Sequence, residues 1–543
     1  MSPFGTVDPV DVYHGWVIMA ALFSAIGTWV LSVVLLRIYR RRVHIGMLSR
    51  SGPEHMPPVL QAQREVPLRP AMPIPLRSAV TAESRLLLGR YARRARSAQL
   101  VFGVAGLGYG LAATVIEFTL EDIPFAPVRT AVTTLMYGWL VVPTVLAQST
   151  LARRVSISAW SAYFAVLLVL MGVARLPLGQ MLLLLGLVVL PQALLIIATS
   201  ARAVRGAAWL VAPALFLAAM AALQLSVPFT YIRFGVPPDG TAWLFVLAAF
   251  GCLALLAAYG LGLLRAYRSK LASDQNLLVL QWWFVAAMWL VSDLAKFGVY
   301  AVFGLVPFGL IVLFLLATSS LRRPAAGRPV RLLMLRTFGS RQRSTQLLRE
   351  LTGRWRWIGS VELVIAPDIA TEVLEPDGFI DFLRGRLDRR FVKDEEGLHR
   401  RLANVDLAPD RDGRYRINEL LCQGHAWQQS VEALVPEVDA VVIDLRGFGI
   451  NNLGVTYELG RLVALSPLQR VVAVVDPSTD TAALESVLRK AAEEAPATAP
   501  IWNGGANYLP TVTVGQKPGG NSTQELWLAV ATAASPRVAI GVI

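Results

Sequence analysis

The sequence predicts a polytopic α-helical membrane domain followed by an α/β domain built on a doubly wound, Rossmann-like parallel sheet. Of the 543 residues, 55% are hydrophobic and only 16% are charged, whereas soluble domains carry about 25% charged residues. Long apolar stretches are concentrated before Arg322, and short apolar strands alternate with amphipathic helices after Val330. A purely soluble protein is therefore excluded, and the chain divides into a membrane half and a soluble half.

Charge is divided unevenly between these halves. Residues 1–329 contain 27 Lys and Arg against 11 Asp and Glu, and residues 330–543 contain 24 against 26, which gives the net charge of +14. A nucleic-acid-binding protein needs its basic residues on a soluble face, so no nucleic-acid partner is expected. Anionic membrane lipids are the expected partner of the basic residues.

Nine apolar stretches are long enough to cross about 30 Å of hydrocarbon at the rise of an α-helix. They occupy residues 15–36, 98–118, 130–149, 157–174, 179–199, 207–228, 242–264, 277–295 and 297–318. The segment before the first stretch contains Asp8 and Asp11 and lacks the basic residues of a cleavable signal peptide. We therefore expect the first stretch to be a retained span.

Basic residues between the spans predict the orientation. With the N-terminus outside, 22 Lys and Arg fall in inner segments and four in outer segments, and the basic side of such loops is cytoplasmic. The sequence thus predicts a multi-pass protein of the cell (inner or plasma) membrane, with a membrane domain at 1–323, a short linker at 324–329 and a cytoplasmic domain at 330–543. The inner loop 37–97 is rich in Arg and Pro, so we expect it to lie along the membrane surface without a packed core.

Few ionisable residues occur within the spans. Asp293 and Lys296 are one helical turn apart and are predicted to pair, and Glu117 lies at the outer end of the second span. A transport pathway normally has charges near the middle of the bilayer, so these residues favour a structural role. The two cysteines, Cys252 and Cys422, offer neither a disulfide framework nor a metal site, and no metal or other cofactor is predicted.

The soluble half alternates predicted strands with predicted helices. The strands are 330–335, 361–366, 440–445, 470–475 and 510–514, and the helices are 344–357, 379–391, 423–435, 455–466, 481–495 and 523–533. Alternation of this kind is typical of a doubly wound parallel sheet.

Ligands bind at the carboxyl ends of the strands in such sheets. The loops after the first and the central strand combine small residues with a cationic side chain, which suits phosphate recognition at a helix N-terminus. The candidate ligand-binding residues are Arg336, Thr337, Gly339, Trp427, Asp444, Arg446, Asn451, Asn452 and Gly454.

These assignments have structural alternatives. Glycine-rich loops between strands and helices also serve turn geometry alone. Asp444 either orients a ribose hydroxyl or caps the turn that follows it. Trp427 either stacks on a base or packs in the core, and Arg336 either pairs with a phosphate or forms a salt bridge near the membrane.

Residues 438–462, VDAVVIDLRGFGINNLGVTYELGRL, resemble the central strand, loop and helix of nucleoside 2-deoxyribosyltransferases and of the related TIR-like and SLOG-like nucleotide-processing domains. Those transferases have an apolar strand ending in Asp, a loop, and a Gly-Thr-x-x-Glu-Leu-Gly helix start. In this chain Thr456 lies two residues after Gly454 instead of one, and the serine-rich motif of TIR-like domains is missing. The order of several spans, then LRTFG at 335–339, then a helix with Trp427 and Val431, also looks like that of uncharacterised actinobacterial-type multi-span membrane proteins.

The resemblance implies a catalytic role for Glu458. The family's Glu attacks or stabilises the anomeric carbon, and a carboxylate stabilises the oxocarbenium-like state through which an N-glycosidic bond breaks. The alternative is structural, because a Glu in the first turn of a helix is favoured by the helix dipole.

Three functions follow as hypotheses. The first is a membrane-bound hydrolase or transferase acting on the N-glycosidic bond of a nucleotide or NAD-like molecule. The second is a nucleotide sensor or gated effector in stress or phage-defence signalling, without catalysis. The third is a transporter with a regulatory cytoplasmic domain, and a homo-oligomer is possible in each case.

Overall fold

The computed structural model describes residues 9–48, 73–79, 85–148, 153–201, 204–233, 240–319, 329–336, 351–365, 376–424, 426–502, 508–515 and 520–540. The chain divides into two compact units. Met1–Arg37 and Arg96–Arg323 form the first, called the helical unit below. Ile38–Ala95 and Pro324–Ile543 form the second, called the α/β unit.

Apolar helices account for the first part of the chain. They are α1 (Pro9–Leu48), α2 (Arg85–Leu120), α3 (Pro127–Gly138), α4 (Val141–Ala147), α5 (Arg153–Val173), α6 (Leu178–Ser200), α7 (Arg205–Arg233), α8 (Gly240–Arg268), α9 (Asp274–Asp293) and α10 (Val306–Ala317), with a 3-10 segment at Leu294–Leu305.

Seven helices among the described residues are long and apolar enough to cross a membrane. The third predicted stretch is broken, because α3 and α4 are bent by 42° relative to each other, and together they could form an eighth span. The apolar part of α5, Ser158–Val173, is too short to be counted. Among the described residues, seven or eight candidate spans thus stand beside the nine that the sequence predicts.

Helix α9 lies at the centre of the helical unit, with 89% of its apolar stretch buried. The indole groups of two of its tryptophans form hydrogen bonds with neighbouring helices. Trp282 Nε1 donates to Thr199 Oγ1 at 3.2 Å, and Trp283 Nε1 donates to Thr144 Oγ1 at 3.1 Å. Hydrogen bonds of this kind join helices where lipid offers no partner.

The predicted pair between Asp293 and Lys296 is wrong. Lys296 Nζ lies 2.5 Å from Glu121 Oε1. Asp293 instead accepts a hydrogen bond from the Tyr137 hydroxyl at 2.9 Å and contacts His14 Nε2. The α-helix ends at Asp293 and the 3-10 segment follows, so the α-helical spacing on which the prediction rested does not continue to Lys296.

The α/β unit is built on an eight-stranded sheet in which every described pairing is parallel. The strands are β1 (Leu76–Ser78), β2 (Val330–Arg336), β3 (Gly359–Ile365), β4 (Phe391–Val392), β5 (Ile417–Cys422), β6 (Ala440–Asp444), β7 (Val471–Val475) and β8 (Leu509–Thr513). Their order across the sheet is β1-β8-β7-β6-β2-β3-β5-β4. The predicted parallel sheet is confirmed.

Helices cover both faces of this sheet. They are α11 (Pro376–Leu383), α12 (Glu395–Ala403), α13 (Ala426–Leu434), α14 (Leu453–Leu465), α15 (Thr481–Glu493) and α16 (Gly520–Ile540). Alternate residues of β2 point to opposite faces, so Leu332 and Met334 join one buried core and Leu333 and Leu335 join the other. A sheet buried on both faces explains why its central strands are mainly apolar.

The predicted helix at 379–391 is wrong in its second half. Helix α11 ends at Leu383, and Gly385 follows with a φ of +67°, a conformation that ends helices. The chain then forms a 3-10 turn, Leu387–Arg390, and enters β4. Of the predicted helix at 344–357, residues 351–355 are helical, and 344–350 lie outside the described residues.

The expectation that 37–97 has no packed core is wrong for its described parts. Strand β1 pairs with β8, where Leu76 is the register partner of Leu509. Beyond the apolar span, α1 continues with Tyr39, Val43 and Met47 buried in the core of the α/β unit. Their spacing of four residues forms an apolar stripe on a helix otherwise rich in Arg. Helices α1 and α2 therefore each contribute residues to both units.

Candidate active site at the carboxyl ends of β2 and β6

Strand order places a topological switch point between β2 and β6. From β2 the chain continues to β3 on one side, and from β6 it continues to β7 and β8 on the other. Crevices at the carboxyl ends of such strand pairs are where open α/β sheets bind ligands. Arg336, the last residue of β2, is the register partner of Asp444, the last residue of β6. The two loops selected from the sequence therefore start side by side.

Asp444 and Arg446 form a buried ion pair. Arg446 donates from Nη2 to Asp444 Oδ2 at 2.7 Å and from Nε to Oδ1 at 2.8 Å, and both residues are buried. A ribose hydroxyl can therefore reach the Asp444 carboxylate only in competition with the guanidinium. Gly447 follows with a φ of +74°, which turns the loop in a conformation that glycine adopts easily.

The loop after β6 is fastened to the loop after β7. Thr479 Oγ1 donates to the Leu445 carbonyl at 3.0 Å, and the Asp480 amide donates to the Phe448 carbonyl at 3.0 Å. Asp476 accepts from the Ser478 amide at 3.0 Å. These residues were missed at the sequence level, although Asp-Pro-Ser-Thr-Asp between a predicted strand and a predicted helix is a turn signal.

Asn452 closes the loop that leads into α14. Its Oδ1 accepts from the Gly449 amide at 2.8 Å, and it makes no side-chain cap to the helix. Asn451 is exposed, and Gly454 is the second residue of α14. The small residues of this loop thus shape the start of α14, the helix that follows β6.

Glu458 is buried on α14, with 4% of its surface exposed. Helix α14 begins at Leu453, so Glu458 is its sixth residue and lies in the second turn. The expectation of a first-turn position is therefore wrong, because the helix starts at Leu453, two residues before the predicted start at residue 455. The side chain shares the buried face of α14 with Val455 and Leu459, and its carboxylate is enclosed by protein.

Trp427 packs between two helices. Its ring meets Tyr457 of α14 edge-on, with 5.3 Å between ring centroids, and it lies against the core of the α/β unit. Tyr457 donates to Glu432 Oε1 at 2.6 Å, and Arg461 Nε lies 3.0 Å from the same oxygen. Burial raises the pKa of Tyr457. Of the two roles considered for Trp427, this packing corresponds to the structural one, packing in the core.

Several predicted residues lie outside what the structure describes. These are Thr337 and Gly339, together with the side chain of Arg336, whose backbone ends β2. In the described part of the chain, no group of three or more His, Cys, Asp or Glu could hold a metal ion.

Buried ion pairs also lie near the amino ends of the strands, opposite the ends that carry the candidate site. Arg331 donates to both carboxylate oxygens of Glu362, at 2.7 and 3.0 Å. Arg416 lies 2.9 Å from Asp410. Burial and the neighbouring Asp412 raise the pKa of Asp410 to about 7, although Arg416 opposes the shift. These pairs join strands and loops far from the switch point.

Comparison with known proteins returned no match: no protein-family model, no curated protein and no solved structure corresponds to this chain. The geometry of the switch point and the resemblance of residues 438–462 are therefore the grounds for a functional assignment. Both concern the same strand, loop and helix.

Proposed function

We propose that this protein is a membrane-anchored, nucleotide-recognising protein that binds a nucleotide or an NAD-like molecule at the carboxyl ends of β2 and β6. The observation that carries the proposal is the register of Arg336 beside Asp444 at the switch point of a parallel sheet. An arginine and a helix N-terminus together suit a phosphate. The ligand is expected to place its phosphate near Arg336 and the start of α14.

Binding is tested on the full-length protein with NAD and a panel of nucleotides, by equilibrium dialysis. Removing one charge-assisted hydrogen bond costs about 1.5 to 3 kcal/mol, so Arg336→Ala should weaken binding by roughly 10- to 100-fold. Arg389→Ala is the matched control, because Arg389 is an exposed arginine of the same unit. Equal affinities of the two variants would contradict the proposed site.

A hydrolase or transferase acting on an N-glycosidic bond is the second candidate. The observation that favours it is the buried carboxylate of Glu458 on the helix that follows the β6 loop. Without turnover, the same site serves a sensor or a gated membrane effector. A regulated transporter is the further alternative.

The membrane side of the proposal places the α/β unit in the cytoplasm and the N-terminus outside, in the cell membrane. Its support is the bias of 22 basic residues against four between the predicted spans. Pro124→Cys and Asp388→Cys introduce thiols at exposed positions, while the native Cys252 and Cys422 are buried. We expect an impermeant maleimide to label Cys at 124 in intact cells and Cys at 388 only after permeabilisation. The reverse pattern would invert the topology.

A further inference from the structure

Ionisable side chains from four helices meet at one end of the helical unit. The Asp293 carboxylate at the end of α9 accepts from Tyr137 of α3 at 2.9 Å and contacts His14 Nε2 of α1. Glu117 of α2 lies beside the same tyrosine, and one of its carboxylate oxygens is buried without a hydrogen-bond partner among the described residues. Glu121 and Lys296 form an ion pair close to this cluster.

Buried polar atoms without partners continue from this cluster along α9. Among the described residues, the Tyr109 hydroxyl, the Trp289 indole nitrogen and both amide atoms of Gln281 have no hydrogen-bond partner. Gln281 is 0% exposed and Tyr109 is 1% exposed. Trp289 packs on His14 with 5.1 Å between ring centroids, and Tyr109 packs on Trp283 of α9 at 4.9 Å.

These atoms are spread over the length of α9. Gln281 lies 12 residues before Asp293, about 18 Å along the helix axis. Gln275, whose Oε1 also lacks a partner in the described part of the chain, is the second residue of α9. The series therefore extends over most of a helix of about 30 Å, the thickness of the hydrocarbon layer.

Helix α1 carries a matching series. It starts where α9 ends, since His14 contacts Asp293, and both helices contribute to one core cluster, so they are antiparallel. Equal rise per residue then puts Thr28 and Ser32 at the level of residues 279 and 275. Their hydroxyls are buried and have no hydrogen-bond partner within the described ranges.

Unpartnered polar atoms are costly inside a membrane bundle. Each buried donor or acceptor left without a hydrogen bond destabilises the folded protein, and native proteins satisfy such groups with protein or ordered water. Gln281 alone has two such atoms in the middle of a membrane-length helix. Water molecules along α9 would satisfy these unpartnered atoms. The row of water would begin at the cluster of His14, Asp293 and Glu117, and residues of these types mark proton relays in membrane proteins.

We propose that the helical unit conducts protons along a water-lined path beside α9, with His14, Asp293 and Tyr137 as the uptake site. A hydronium ion protonates the His14–Asp293 pair. That pair releases a proton to the next water, so each transfer forms one O–H or N–H bond and breaks another. Neutral oxygens spaced along a helix do not replace the shell of ligands that a metal cation needs, whereas hydrogen-bonded water carries protons past them. The path gives the membrane part of the protein an activity separate from nucleotide binding.

The test uses the full-length protein in phospholipid vesicles that contain a pH-sensitive dye. A potassium gradient with valinomycin imposes the membrane potential. We expect the wild-type protein to acidify or alkalinise the lumen according to the sign of the potential. Asp293→Asn and Gln281→Leu should each slow the flux by roughly 100-fold, the lower range for loss of a positioned proton-transfer group.

Matched controls separate the path from general damage. Asp122→Asn changes an exposed carboxylate after α2, and Gln224→Leu changes a buried glutamine that has a partner in Cys252; both should keep the wild-type flux. If Asp293→Asn fails to fold, as judged by size-exclusion chromatography, Tyr137→Phe takes its place, because Tyr137 donates to the same carboxylate; the same loss of flux is expected. No flux above that of protein-free vesicles, or full flux in Gln281→Leu, would overturn the proposal.

Discussion

Arg446→Met is expected to destabilise the carboxyl end of β6 by about 3 to 5 kcal/mol, because it leaves the Asp444 carboxylate buried without its bidentate partner. In the structure both hydrogen bonds from the guanidinium are short, and both residues are buried. Hydrogen exchange of the β6 amides in the full-length protein measures this local free energy. Nucleotide affinity should fall in the same variant, since the loop after β6 begins at this pair.

Two further variants make this prediction specific. Asp444→Asn combined with Arg446→Met removes both charges, so most of the lost stability should return. Arg331→Met breaks the buried pair with Glu362 near the amino ends of the strands and should destabilise the unit comparably while leaving nucleotide affinity unchanged. If the β6 amides of Arg446→Met are as well protected from hydrogen exchange as those of the wild type, the pair contributes nothing to the stability of this strand end.

Glu458→Gln is expected to reduce release of the base from a bound nucleotide by about 10²- to 10⁴-fold, the contribution of a positioned acid or base. The amide keeps the shape of the side chain, so the buried face of α14 that Glu458 shares with Val455 and Leu459 should stay packed. Ligand binding should therefore persist. Chromatographic detection of free base, beside equilibrium dialysis, measures turnover and binding separately.

The control for this variant is Glu432→Gln. Glu432 lies on the neighbouring helix α13 and accepts from Tyr457, so its change perturbs the same pair of helices without touching the switch point. Unchanged turnover in Glu458→Gln would remove Glu458 from the mechanism. If the wild-type protein releases no base, the hydrolase candidate is withdrawn and the proposal of nucleotide binding stands on the dialysis result alone.

Most of the strands that sequence patterns predicted are buried on both faces, although β8, also predicted, has Thr513 exposed. Strands β6 and β7 are apolar up to their last residues, and β2 is apolar between Arg331 and Arg336; each lies within one or two residues of its predicted position. Strand β5 was missed because Asn418 and Glu419 interrupt its pattern, and β4 because two residues carry no periodicity. Strand β1 lies in a Pro- and Arg-rich segment and exists through its pairing with β8.

Residues of the candidate site were predictable only as far as local sequence determines them. The loop after Asp444 follows from the strand-to-helix pattern, but its position beside Arg336 depends on strand order, which no local pattern encodes. The same limit applies to the helical unit. His14 and Asp293 are 279 residues apart in the chain, and their contact depends on the packing of α1 against the end of α9.

The passage of α1 and α2 through both units determines how the protein can be taken apart. Three covalent crossings join the units, within α1, within α2 and at Arg323–Pro324, so cleaving or lengthening the 324–329 segment leaves two connections intact. A fragment starting at residue 330 would lack β1 and the apolar residues Tyr39, Val43 and Met47. It would expose the edge of β8 and a hydrophobic patch, both of which favour aggregation. The α/β unit is therefore not expected to fold as a separate fragment, and its chemistry has to be studied in the full-length protein.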